Sequence, residues 1–181
     1  MYFIGIQGGI IMKKILAIGI SSGIVAAIWT IGSFSIGLST VAGFLAWSSF
    51  FASGVSGIKG VKKALIANIS GICWGFSGVQ LSNLFAPSLG NVQAIAVGNG
   101  LGSLAICLQS RLALVSFIPG SFIGWSAFIA SGMNFKIAII SMIIGSFLGY
   151  ASEMLTDVFM KVLKVDVKNV ENEILNCNEA A

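Results

Sequence analysis

Six long apolar runs, broken by short polar or glycine-containing segments, occupy most of this chain. A helix needs about 20 mostly apolar residues to cross roughly 30 Å of hydrocarbon. The runs at 15–34, 36–54, 64–86, 93–109, 112–131 and 137–160 each approach or exceed that length. Breaks fall at Gly32-Ser33-Phe34-Ser35, at Gly54 with the basic stretch Lys59 to Lys63, and at Pro87. Two more fall at Gln109-Ser110-Arg111 and at Gly132 to Asn134. The pattern predicts an all-α polytopic membrane protein with six transmembrane helices.

Charge sets the orientation. Lys13, Lys14, Lys59, Lys62, Lys63, Arg111, Lys161, Lys164 and Lys168 fall on one side of a six-span arrangement, and only Lys136 falls on the other. Basic loops face the cytoplasm, so both termini are expected there. Only 9% of residues are charged, against about 25% in soluble domains. The net charge of +4 implies no nucleic-acid partner, because the basic residues form no stripe along a soluble face.

The chain repeats itself. Residues 43–54, G-F-L-A-W-S-S-F-F-A-S-G, match 121–132, S-F-I-G-W-S-A-F-I-A-S-G, at seven of twelve positions, with Trp47 aligned to Trp125. The segment 71–85 aligns with 145–159, pairing Gly71 with Gly145 and Gly75 with Gly149. Residues 18–26 align with 97–105, pairing Gly19 with Gly98 and Gly23 with Gly102. Three collinear pairs predict a 3+3 repeat. An odd number of spans per copy makes it an inverted-topology repeat, an architecture that places a solute path at the repeat interface. The expected units are a mis-assigned leader at 1–11, repeats at 12–86 and 87–163, and a cytoplasmic tail at 164–181. The leader reading rests on Gln7-Gly8-Gly9, which a ribosome-binding sequence upstream of a start at Met12 could encode.

Within the spans, Pro119-Gly120 predicts a helix broken near Pro119, since proline removes a backbone donor. A plain proline kink is the alternative. Glycines spaced by four suit close helix packing. Ser48 and Ser126 follow the tryptophans, and Ser116 precedes the break, so these join Trp47, Trp125, Pro119 and Gly120 as pathway candidates. Asn68 and Asn99 join them because an amide is costly in lipid. Glu153 and Asp157, one turn apart, are a candidate ion or proton site, with an interfacial charge cluster beside Lys161 and Lys164 as the bland reading.

The chain has no histidine. Conventional triad catalysis therefore lacks its base, no enzymatic motif stands out, and no cofactor or metal is expected. Cys73 and Cys107, inside apolar runs, read as small buried hydrophobes, and Cys177 lies in the tail.

The run S-F-I-P-G-S-F-I-G at 116–124, preceded by C-L-Q-S-R at 107–111, together with A-G-F-L-A at 42–46, resembles the bacterial DUF1097 (YcdZ-like) family of inner-membrane proteins. The resemblance covers roughly Met12 to Leu163 and implies a small polytopic protein of the bacterial inner membrane. It carries no catalytic residues. The expectation is a channel or facilitator for a small, uncharged solute. The alternative is a non-transport membrane scaffold or partner-binding subunit. Besides the lipid bilayer, the expected partners are the solute and further copies of the chain, since six short helices make a thin bundle.

Overall fold

The computed structural model describes residues 2–163, with side chains from Met12 onward. Six helices follow in order: α1 (Tyr2–Ser35), α2 (Thr40–Ala52), α3 (Gly57–Leu89), α4 (Asn91–Gln109), α5 (Ile118–Ala130) and α6 (Phe135–Val162). A 3-10 turn at Ala113–Val115 precedes α5. Four helices, α1, α3, α4 and α6, are long and apolar enough to cross a membrane. α2 and α5 have 13 residues each, about 20 Å at 1.5 Å per residue.

The two short helices explain themselves locally. α2 starts where the Ser39 side chain accepts the Ala42 amide N–H, the usual N-cap arrangement. It ends ahead of Gly54, whose φ of +65° is left-handed. α5 ends the same way, ahead of Gly132 at φ +64°. Gly54 and Gly132 are aligned positions of the sequence repeat, so both copies use the same glycine stop. The run 112–131 is broken as expected, into the 3-10 turn and α5, but the break falls just before Pro119, which lies in the first turn of α5, where its missing N–H is no loss. The residues before it form local turns, with Val115 N donating to Leu112 O at 3.0 Å and Leu112 N to Gln109 O at 2.9 Å. The Gln109 and Leu112 carbonyls ahead of the proline are therefore taken up by the turn. Pro87, read as a stop, lies inside α3, which continues to Leu89.

The described residues divide into two compact units: 2–27 with 151–163, and 28–150. In the first, Ala17 and Met160 form a small buried cluster with Phe159 and Leu163. The second holds the main core, in which Ala42 and Ala46 of α2, Ile72 of α3, Ala127 and Phe128 of α5, and Ala138 and Met142 of α6 pack together.

Contacts within this second unit fix helix directions. Trp29 meets Gly43, and Ser33 bonds Thr40, so the end of α1 and α2 are antiparallel. Ser49 bonds Asn68 and Ser53 bonds Lys63, so α2 and α3 are antiparallel. Ala67 meets Gly120, Gly71 meets Ser121 and Gly75 meets Phe128, so α3 and α5 are parallel. Ser39 meets Ser141, Gly43 meets Gly145 and Phe50 meets Gly149, so α2 and α6 are parallel. It follows that α3 and α6 run in opposite directions, as do α2 and α5.

Two of these contacts exchange roles. A Cβ on Gly71 of α3 would run into the backbone carbonyl of Ser121 on α5. A Cβ on Gly145 of α6 would run into that of Gly43 on α2. Gly71 aligns with Gly145, and Gly43 with Ser121, in the sequence repeat. Gly75 against Phe128 and Gly149 against Phe50 form a second such pair. Each half thus presents a long helix to the short helix of the other.

The link between α1 and α2 has its backbone largely satisfied from inside. Leu38 N donates to Ser33 O at 2.9 Å, Ser39 N to Ser141 Oγ at 3.1 Å, and the Trp29 indole to Thr40 O at 3.0 Å. Non-helical backbone at membrane depth needs such partners.

Candidate functional site

Where α2 and α3 meet α5, the apolar interior holds one polar pair. Ser49 and Asn68 are fully buried, and the Ser49 hydroxyl donates to Asn68 Oδ1 at 2.7 Å. Gly124, in the middle of α5, lies against the backbone of Asn68 with no room for a Cβ. Asn68 is therefore a residue of the first half set directly on the second. Its Nδ2 has no hydrogen-bond partner. Turning the amide over would exchange which atom Ser49 engages and leave the other one free. An unmade bond of this kind costs about 1–3 kcal/mol. The positions aligned with Ser49 and Asn68 are Ala127 and Met142, both in the apolar core, so the second half has no such pair.

A second polar group centres on the end of α4. Gln109, read as a turn residue, accepts from Ser70 Oγ at 2.6 Å and from the Trp74 indole at 2.8 Å. Its Nε2 donates to Ser121 Oγ at 2.9 Å. One side chain thus ties α3, α4 and α5 together. The available signal was a glutamine on the last turn of an apolar run, within reach of whichever helices pack there. Each of its two amide atoms has a partner, so this node is a structural clamp.

The third feature is a groove of about 500 Å³ between α4 and α5, lined by Asn99, Ser103, Phe122, Trp125, Ser126, Ile129 and Ala130. Trp125 forms its floor. A Cβ on Gly75, Gly78 or Gly102 would meet its indole, so two glycines of α3, three residues apart, and one of α4 make a slot for that ring. Ser126 Oγ donates to Phe122 O at 3.0 Å. Among the sequence candidates, Asn99, Trp125 and Ser126 come together here.

The others lie apart. Trp47 is buried and stacks on Phe44 at 6.0 Å between centroids, while Ser48 faces outward. Ser116 is exposed and donates to Ala113 O at 3.0 Å. Pro119 is exposed, and Gly120 is buried against Phe117 and Ala67. The seam between α2 and α5 is closed by Ala46, Ala127 and Phe128. Glu153 is half-buried and Asp157 exposed, both near the end of α6 in the other unit. Lys63 Nζ donates to Ser53 O at 2.8 Å, capping α2, and lies 5.4 Å from the Phe117 ring centroid.

The cysteines correct an expectation: Cys73 and Cys107 are exposed. Hydropathy does not separate interior from lipid-facing positions in a chain whose outer surface is itself apolar. Cys177, Lys164, Lys168 and the tail lie outside the described residues. Among the described residues, no group of three or more potential metal ligands occurs.

Residues 19–157 match the family described as a protein of unknown function, DUF1097. The inner membrane protein YcdZ of Salmonella typhimurium is 36% identical over 119 residues, 66% of this chain and 72% of the relative. The uncharacterized protein YahC of Escherichia coli is 35% identical over 131 residues, 68% of this chain and 79% of the relative. The inner membrane protein YcdZ of Escherichia coli is 34% identical over 125 residues, 69% of this chain and 75% of the relative. No solved structure matches the chain.

Proposed function

The chain belongs to the DUF1097 family, and on that footing we propose a facilitator for a small uncharged solute, working at the interface of two inverted three-helix repeats. Its relatives named as inner membrane proteins, together with its own apolar helices, make it a multi-pass protein of the bacterial inner membrane. We read it as non-enzymatic.

Six spans are favoured over four. If α2 and α5 did not cross, Lys13, Lys14, Lys161, Lys164 and Lys168 would lie on one side, and Lys59, Lys62, Lys63, Arg111 and Lys136 on the other. That split of five and five offers no orientation signal, whereas six spans give nine and one. Four alternating spans would also make α3 and α6 parallel, and their contacts with α2 imply the reverse. The exchanged glycine contacts are what a two-fold relation between the halves produces. With spans alternating, its axis lies in the membrane plane, and both termini are cytoplasmic. The links flanking α2 and α5 add the length that 13 helical residues lack.

The observation that carries the function is the free amide atom of Asn68, held at the junction of the halves and level with the middle of α5. A buried polar atom left without a partner suits an intermittent one. The groups that touch Asn68, the Ser49 hydroxyl and the α5 backbone at Gly124, carry no charge, so they suit a neutral hydroxyl- or amide-bearing solute better than an ion, whose hydration shell they could not replace. The interior is packed with alanine and glycine and is closed, so passage requires one half to rock against the other.

The test is flux in proteoliposomes over a panel of small neutral solutes and ions. Asn68→Leu should abolish flux of the accepted solute, and Asn68→Ser should retain part of it. Flux unchanged in Asn68→Leu would place the pathway elsewhere. No flux of any solute through the wild type would favour the scaffold reading.

A further inference from the structure

We propose that the flank of α4 bearing Asn99 docks a second copy of this chain across a two-fold axis, closing the α4–α5 groove of each protomer. This surface is independent of whether a solute passes Asn68.

α4 is not uniform around its circumference. Ala94, Gly98, Gly102 and Ile106 face the protein interior. One exposed flank carries Leu101, Leu104 and Leu108, an ordinary lipid-facing surface. The other exposes Ala96, Asn99, Gly100 and Cys107, with Ser103 partly covered. From Ala96 to Cys107 that flank is small and polar, with the exposed Val92 and Ile95 before it, and Asn99 and Ser103 form the α4 wall of the groove.

Asn99 is the ninth residue of a 19-residue span, so it lies near the middle of the hydrocarbon. Its side chain has no hydrogen bond among the described residues. Acyl chains offer an amide no partner, and water is scarce at that depth. Ser126, across the groove, already directs its hydroxyl to Phe122 O. The open volume shows that the protein's own side chains do not fill the space beside Asn99.

An amide carries both a donor and an acceptor, so it complements a second copy of itself. Two Asn99 side chains related by a two-fold axis can each donate to the other, the isologous contact that closed dimers use. The small residues beside it let two α4 backbones come close enough for that bond; a Cβ on Gly100 would meet nothing within 4 Å. The sequence repeat also limits assembly. Asn99 aligns with Ile20, so the first half lacks an equivalent polar face, and association stops at two instead of continuing as a chain.

The test uses full-length protein with Cys73, Cys107 and Cys177 replaced by alanine, and one cysteine restored in membranes. Ser103→Cys, on the polar flank, should form a covalent dimer on mild oxidation. Leu104→Cys, one residue away at similar depth on the lipid flank, should not. In liposomes at decreasing protein-to-lipid ratio, single-molecule photobleaching should report two copies for the wild type. Asn99→Leu should raise the dissociation constant about tenfold, the scale of one interhelical amide contact, and Asn99→Gln should recover most of the loss. Cross-linking at Leu104→Cys in preference to Ser103→Cys would overturn the proposal. So would a wild type that stays monomeric at every ratio, which would mean that lipid or a small amphiphile fills the groove.

Discussion

Replacing Gly71 or Gly145 with alanine separates a repeat in three dimensions from a resemblance in sequence. Each glycine lies on a long helix, and the added Cβ of each would run into a backbone carbonyl of the opposite half's short helix, Ser121 for Gly71 and Gly43 for Gly145. A carbonyl cannot turn away as a side chain can, so the two helices must move apart. Overpacking of that kind costs about 1–3 kcal/mol. Alanine returns up to about 1 kcal/mol as the better helix former, which leaves a net loss of roughly 0.5–2 kcal/mol at each site. Gly23 and Gly32 are the controls, since a Cβ on either meets nothing within 4 Å. Only the propensity gain remains there, so alanine should be neutral or stabilise by up to about 1 kcal/mol. The assay is reversible unfolding by SDS titration in mixed micelles, followed by tryptophan fluorescence. Equal losses at Gly71 and Gly145, with none at the controls, are expected. If all four variants behave alike, the close helix approach is wrong. If only one of the pair is costly, the two contacts are not equivalent and the repeat fails.

Three further outcomes follow from named contacts. Gln109→Leu strands the Ser70 and Ser121 hydroxyls and the Trp74 indole, and should cost about 2 kcal/mol or more in the same titration, with a changed Trp74 emission. Ser39→Ala removes the α2 cap and should cost about 1 kcal/mol, read as a lowered midpoint. For topology, a cysteine at Lys59 should be shielded from membrane-impermeant maleimide added outside intact cells, and one at Ser88 should react. Both positions are exposed, whereas neighbouring Gly60 is unsuitable because a Cβ there would strike the Val55 carbonyl.

The six helices could be read from the sequence because runs of apolar residues are long and their breaks carry glycine, proline or charge. Their ends could not. The run 36–54 spreads over a loop, a 13-residue helix and a turn, because Ser39 and Gly54 are cap residues hidden inside an otherwise apolar stretch. The basic residues Lys59, Lys62 and Lys63 mark a break between apolar runs, yet they form the first turns of α3; lysine is a good helix former, and its long stem can carry the charge to the membrane surface. Pro119 was rightly marked as a discontinuity, but whether proline breaks a helix or begins one depends on what lies before it. Here that is a turn anchored beside Gln109, which hydropathy does not register.

The site candidates divide along the same line. Asn68 and Asn99 could be picked out because an amide in an apolar run demands an explanation wherever it points. Which explanation applies depends on rotation about the helix axis, and with lipid outside and apolar packing inside the sequence holds almost no rotational signal. Asn68 turned inward, to Ser49 and the backbone of α5. Asn99 turned outward, into the groove. Ser48 and Ser49 make the same point at adjacent positions, since the first faces out and the second is fully buried. The glycines were the better guide, because their meaning does not depend on a polar partner. Gly71, Gly75, Gly145 and Gly149 mark where backbones or rings approach closely, whatever surrounds them. Both of these pairs meet the opposite half through aligned positions, whereas Gly19 and Gly23 meet nothing within 4 Å and their aligned partners Gly98 and Gly102 pack against Ser82 and Trp125, so the case for two related halves rests on the exchanged contacts of α2, α3, α5 and α6.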